Sequence, residues 1–133
     1  MNISHIEHLG IAVENLEESI KYYETVLGLK CYSREEVVDQ KVKIAFFWVG
    51  STKIELLEST SPEGPIGKYI AKKGQGIHHI AFAVENVDKA LKIAKERGVR
   101  LIDNQSKKGA EGLDIGFLNP KFTFGVLTEL CSK

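Results

Sequence analysis

The stretch Ile6-Glu7-His8-Leu9-Gly10-Ile11-Ala12-Val13-Glu14-Asn15 returns in the second half of the chain as Ile77-His78-His79-Ile80-Ala81-Phe82-Ala83-Val84-Glu85-Asn86. Both copies alternate with a period of two, which predicts a strand. In the first, Leu9, Ile11 and Val13 share one face, while His8, Gly10 and Ala12 share the other. Each copy then runs on in the same order. Asn15 is placed to cap a helix striped by Leu16, Ile20, Tyr23 and Leu27, with Glu18 at the capping-box position and Gly28 as the left-handed stop. Asn86, Val87, Leu91, Ala94 and Gly98 repeat the plan, but Lys89 stands where the capping-box carboxylate would be, so a weaker second cap is expected. Short apolar runs follow at residues 29–36, 43–49 and 53–58, and again at 101–104, 113–118 and 125–131. The last of these also match, because Lys53-Ile54-Glu55-Leu56-Leu57 resembles Leu127-Thr128-Glu129-Leu130-Cys131.

Two copies are too few for a solenoid, so the repeat points to a duplicated module closing on its twin. The expected architecture is α+β: two βαβββ modules, residues 1–60 and 75–133, forming an open, curved mixed sheet in a single domain of residues 1–133. The linker, 61–74, is turn-rich, with a short helix expected at 66–72.

A chain of 133 residues that is 43% hydrophobic and 27% charged, with 3 Pro, is ordinary globular protein rather than disordered chain. Lys plus Arg equals Asp plus Glu at 18 each, which leaves no net field to gather nucleic acid or an anionic membrane. The start lacks a basic segment followed by an apolar one, and no apolar run is long enough to span a bilayer, so the expectation is a cytoplasmic protein. Cys31 and Cys131 are too few for a disulfide scaffold and are read as reduced thiols.

Duplication places His8 and His79 at equivalent points of the first strands, and Glu55 and Glu129 at equivalent points of the last. A single strand histidine or glutamate is usually a satisfied structural or surface residue. Four in matched places converge if the two modules face each other, and two carboxylates in one apolar concavity then repel and lose hydration. A divalent cation removes the conflict, and imidazole with carboxylate suits Zn2+, Co2+, Mn2+, Ni2+ or Fe2+. Four ligands leave open positions for Lewis-acid chemistry on a carbonyl. His5 and His78 are read as structural or exposed, with a supporting role behind the ligands as the alternative for His78.

With these residues in place, the chain resembles the vicinal oxygen chelate superfamily over nearly its whole length. The stretches Gly74-Gln75-Gly76-Ile77-His78-His79, Lys53 to Leu57, and Asn119-Pro120-Lys121 through Leu130 are most similar to the methylmalonyl-CoA epimerase family. That resemblance implies a metal held by His8, Glu55, His79 and Glu129, an isomerase that inverts the carbon alpha to a thioester carbonyl, a homodimer, and a small acyl-CoA substrate. It also implies a proton-transfer group on the strand after the first helix. Lys43 falls there, with Glu36 or Asp39 as substitutes if the register shifts, and Glu129 is the candidate on the other side. Lys107 and Lys108, with Lys121, offer local cations for coenzyme A phosphates. The competing expectations are a glyoxalase I, a lyase that isomerises a glutathione adduct with the same ligand types, and a metal-free drug-sequestering module. The first lacks its basic residue in Gly10-Ile11-Ala12-Val13, and the second would not need all four ligands.

Overall fold

A computed structural model describes residues Met1–Lys133. Eight strands and three helices make the chain α+β, with the strands in one mixed sheet. The chain forms two compact units, one of residues 8–78 and the other of residues 1–7 with 79–133. The first strand, β1 (Ile3–Ala12), is therefore divided between them.

In the unit of residues 8–78, Asn15 begins α1 (Leu16–Thr25), and its side chain accepts from the Glu18 N–H at 3.0 Å. Glu58 adds a second acceptor there, a carboxylate that accepts from the Leu16 N–H at 2.8 Å. A carboxylate is well placed at a helix N-terminus, where unpaired N–H groups and the helix dipole meet it. The helix ends before Leu27, which is exposed rather than part of the buried stripe, and Gly28 takes φ +72. Three strands follow: β2 (Cys31–Val37), β3 (Val42–Val49) and β4 (Thr52–Ser59). Their order is β2-β3-β4-β1, with β2·β3 and β3·β4 antiparallel and β1·β4 parallel. One face packs on α1 through Val13, Leu16, Ile20, Ala45, Phe47 and Leu56. The linker carries α2 (Pro65–Lys73), one residue longer at each end than expected from sequence, with Pro65 at a first-turn position that needs no N–H donor.

The second unit repeats this plan with β5 (Gly76–Val84), of which residues 79–84 belong to it, α3 (Val87–Glu96), β6 (Lys107–Lys108), β7 (Asp114–Leu118) and β8 (Thr128–Ser132), in the strand order β5-β8-β7-β6. Its helix-side core is Val84, Val87, Ala90, Leu91, Ala94, Leu118 and Leu130. Gly116 lies where a Cβ would come within 2.8 Å of Leu91, so the close approach of α3 to β7 requires a glycine. The expected strand at 101–104 is reduced to one bridge, Leu101 to Leu118, and the edge is instead the two-residue β6. A short edge presents few unpaired backbone groups.

The second cap is not weaker in geometry. Asn86 accepts from the Lys89 N–H at 2.9 Å, the same bond as at Asn15, because the Asn side chain needs only that backbone donor and not a carboxylate at the third position. Asn15→Ala and Asn86→Ala are each expected to cost about 1 kcal/mol, measured by urea unfolding. A loss at Asn15 alone would show that the two caps are unequal.

Candidate active site

The ligand candidates stand in the same register in both units. In the parallel pair β1·β4, Gly10 is opposite Glu55, and His8 lies two residues before Gly10 on the same face. In β5·β8, Ala81 is opposite Glu129, and His79 lies two residues before Ala81. A residue with little or no side chain therefore stands directly across from each glutamate, and the carboxylate leans along the neighbouring strand to its histidine. His8 Nδ1 is 3.2 Å from Glu55 Oε2, and His79 Nε2 is 3.4 Å from Glu129 Oε1. All four residues are buried, at 3, 4, 6 and 3% exposure for His8, Glu55, His79 and Glu129.

Carboxylates this far from water need a counter-charge, and each unit supplies one imidazole and one carboxylate, donors of the type that bind divalent cations. The donor set thus fits a metal. Each imidazole nitrogen facing a glutamate would be a donor to it without metal and a ligand with it, so the tautomer depends on occupancy.

The face that carries each pair lies opposite the helix. In the unit of residues 8–78 it bears His8, Lys53, Glu55, Leu57, Ile44, Phe46 and Trp48, since residues paired across a ladder share a face. In the other unit it bears His79, Ala81, Phe117, Glu129 and Cys131, with the Phe117 ring edge-on to His79 at 5.6 Å. Cys31 and Cys131 are both free thiols.

This parity corrects the position expected for proton transfer. Lys43 pairs with Glu36 and Glu58 on the α1 face, the opposite side of the sheet from Glu55, and is exposed. Glu36 shares that face, and Asp39 lies in the 3-10 turn Val38–Gln40. Glu35 is instead the carboxylate on the site face of β2. It pairs with Ile44, which pairs with Leu57, so Glu35 stands two strands from Glu55 and one side-chain step along, about 10 Å across and about 7 Å along. Sequence alternation could not reveal this, because a register shift between Cys31 and Ser33 resets the phase of β2.

The three candidate phosphate ligands do not form one cluster. Lys107 pairs with Ile115 on the Glu129 face, 3.2 Å from Asp103 Oδ1 and 5.6 Å from the Phe117 ring centroid. Lys108 points to the other face and is 2.7 Å from Asp114 Oδ1. Lys121 is exposed on the 3-10 turn Pro120–Phe122. His5 is exposed and hydrogen-bonded to Ser4. His78 packs edge-on against Tyr69 at 4.9 Å, and burial lowers its pKa to about 4.

A family model, "Glyoxalase/Bleomycin resistance protein/Dioxygenase superfamily", matches residues 7–117. The chain belongs to this superfamily, the vicinal oxygen chelate proteins, and its relatives and structural neighbours include methylmalonyl-CoA epimerases. It is 42% identical to the uncharacterised protein YqjC of Bacillus subtilis (strain 168), over 97% of this chain and 92% of that one. It is 35% identical to the ethylmalonyl-CoA/methylmalonyl-CoA epimerase of Cereibacter sphaeroides, over 96% and 97%. Among solved structures, a methylmalonyl-CoA epimerase in complex with methylmalonyl-CoA and NH4+ superposes with a TM-score of 0.96 at 33% identity, covering 99% of this chain and 96% of that one. No helix is long and apolar enough to cross a membrane.

His78 gives a pH test. Its folded pKa, about 4, lies below the ordinary value of 6.5, so the unfolded chain binds the extra proton first and stability falls as pH drops through that interval. From pH 7 to pH 5 the loss assigned to this residue is on the order of 2 kcal/mol. Urea unfolding should show His78→Phe losing less stability than the wild type over that range by about this amount; parallel losses would show that His78 does not titrate there.

Proposed function

We propose that the chain is a metal-dependent epimerase acting alpha to a thioester carbonyl, of the methylmalonyl-CoA epimerase type, with one divalent cation held by His8, Glu55, His79 and Glu129. The observation that carries this reading is the twice-used register that sets a buried histidine beside a buried glutamate on parallel strands. The likeness to epimerases over nearly the full chain supports the substrate class. Co2+, Mn2+, Zn2+ and Ni2+ all suit these donors. When bound, such an ion polarises a carbonyl oxygen as a Lewis acid.

The proton chemistry belongs to the chain. Inversion needs one group to accept the alpha proton, as the C–H electron pair passes into the thioester carbonyl, and a second to return a proton to the opposite side of that carbon. Glu129 and Glu35 fill these roles, one starting as carboxylate and the other as carboxylic acid, and each turnover exchanges their states. The surrounding apolar side chains, among them Phe46 and Leu57 in one unit and Ala81 and Phe117 in the other, keep water from competing. Lys107 and Lys121 serve the coenzyme A phosphates, whereas Lys108 is turned away to Asp114. The protein works as a cytoplasmic homodimer, because open sheet edges such as β2 invite a partner.

Incubation of the Mn2+-loaded protein with methylmalonyl-CoA in deuterium oxide tests the reading. Deuterium is expected at the alpha carbon together with inversion. Glu35→Gln should slow inversion by about 100-fold or more without reducing bound metal, whereas His79→Ala should lose both metal and turnover. Full turnover of Glu35→Gln would remove Glu35 from the mechanism. An absence of exchange in the wild type would overturn the epimerase assignment.

A further inference from the structure

The two units differ in what flanks the residue opposite each glutamate. In the unit of residues 8–78 that residue is Phe46, opposite Glu55 in β3·β4, and Ser33 of the seven-residue β2 is paired with it on the other side. In the second unit it is Phe117, opposite Glu129 in β7·β8, but the edge strand β6 has two residues and pairs only with Asp114 and Ile115. Residues 102 and 103 stand in for the missing strand. The Ile102 and Asp103 N–H groups donate to the Phe117 carbonyl at 2.9 and 3.2 Å, and the Phe117 N–H donates to Asp103 Oδ2 at 2.9 Å.

Both main-chain groups of a strand residue point to the same edge, so Phe117 and Glu129 form a non-hydrogen-bonded pair, the kind that brings opposite side chains closest. The Phe117 ring stands at 81° to the His79 ring with 5.6 Å between centroids, an arrangement that aromatic rings favour. Asp103 Oδ1 is also 3.2 Å from the Lys107 ammonium, which lies 5.6 Å from the centroid of the same Phe117 ring. The Asp103 side chain is only 15% exposed, and its two oxygens serve these two contacts.

We infer that Asp103 is a positioning residue for the His79–Glu129 half of the centre: its carboxylate does for Phe117 what a full edge strand does for Phe46, and Phe117 in turn fixes the His79 imidazole. The inference rests on the reading of His79 and Glu129 as ligands. Without the acceptor at Asp103, the Phe117 N–H faces the sheet edge with no protein partner, and β7 opens locally there. The ring then withdraws from His79, whose imidazole gains rotamer freedom and loses its fixed approach to a cation. The other half of the centre needs no such residue, because β2 pairs with β3 from Cys31 to Val37. Lys107 is not required for the effect, since a lysine that turns to a phosphate leaves the Phe117 N–H bond in place.

The imidazole resonances of the metal-free protein test this by NMR, with the His79 signal identified by its loss in His79→Ala. Asp103→Ala should shift or broaden the His79 signal and leave those of His5 and His78 unmoved. Its affinity for Mn2+, measured by isothermal titration, should fall about 10-fold. Asp103→Asn, whose amide oxygen still accepts from the Phe117 N–H, should restore the His79 signal and bring Mn2+ affinity within about twofold of the wild type. A general loss of stability would neither single out one histidine nor be rescued in this way. An unchanged His79 signal in Asp103→Ala, or equal effects of alanine and asparagine, would overturn the inference. Should Asp103→Ala fail to fold by circular dichroism, Phe117→Leu takes its place: about a 10-fold loss of Mn2+ affinity is expected, and a loss under about twofold would overturn the role. Should the wild type bind no Mn2+ while Asp103→Ala still moves His79, the positioning stands and the metal reading falls.

Discussion

A parallel strand pair is the constraint on which the site depends. In both units the first strand after a chain entry and the last strand of the module run side by side in the same direction, and a small residue, Gly10 or Ala81, faces the glutamate. Parallel pairing cannot be made by a tight turn; it needs a crossover, which α1 with β2 and β3 supplies in one unit and α3 with β6 and β7 in the other. The caps at Asn15 and Asn86, the left-handed glycines Gly28 and Gly98, and the helix-side cores thus act at a distance on the chemistry: they hold the register that brings each imidazole to its carboxylate. A slip of one residue would send all of these side chains to the helix face.

Much of this was legible in the chain. The matched segments Ile6–Asn15 and Ile77–Asn86 located both first strands and both caps, and equivalence alone paired His8 with His79 and Glu55 with Glu129. What alternation does not carry is phase after an irregularity. The register shift between Cys31 and Ser33 put Glu35 on the site face of β2, whereas Lys43, on β3, pairs with Glu58 on the side that packs α1. Residues 101–104 failed to form a strand for a different reason: the segment makes one bridge to β7, at Leu101, after which the Ile102 and Asp103 N–H groups both turn to the single Phe117 carbonyl and the Asp103 carboxylate accepts from the Phe117 N–H and pairs with the Lys107 ammonium. Lys53, between Thr52 and Ile54, reads in sequence as an outward charge, and only the ladder shows it buried opposite His8.

The two ion pairs differ in one respect. His8 presents Nδ1 to its glutamate and His79 presents Nε2, although the backbone registers are the same. Duplicated backbones do not oblige duplicated rotamers, and each unit turns a different ring nitrogen to its own carboxylate.

The split of β1 has a consequence for how the chain comes to its native state. Residues 1–7 belong with 79–133, while the rest of that strand belongs with 8–78. Residues 1–7 cannot complete their contacts until residues 79–133 have been made. The unit of residues 8–78 has its own core and can condense before then, while residues 1–7 keep backbone donors and acceptors unpaired until residues 79–133 fold against them. Such long-range closure slows folding and leaves an exposed strand in the interval. The alternation of polar residues at Asn2, Ser4, His5 and Glu7 among Ile3 and Ile6 keeps that waiting segment from being a fully apolar edge.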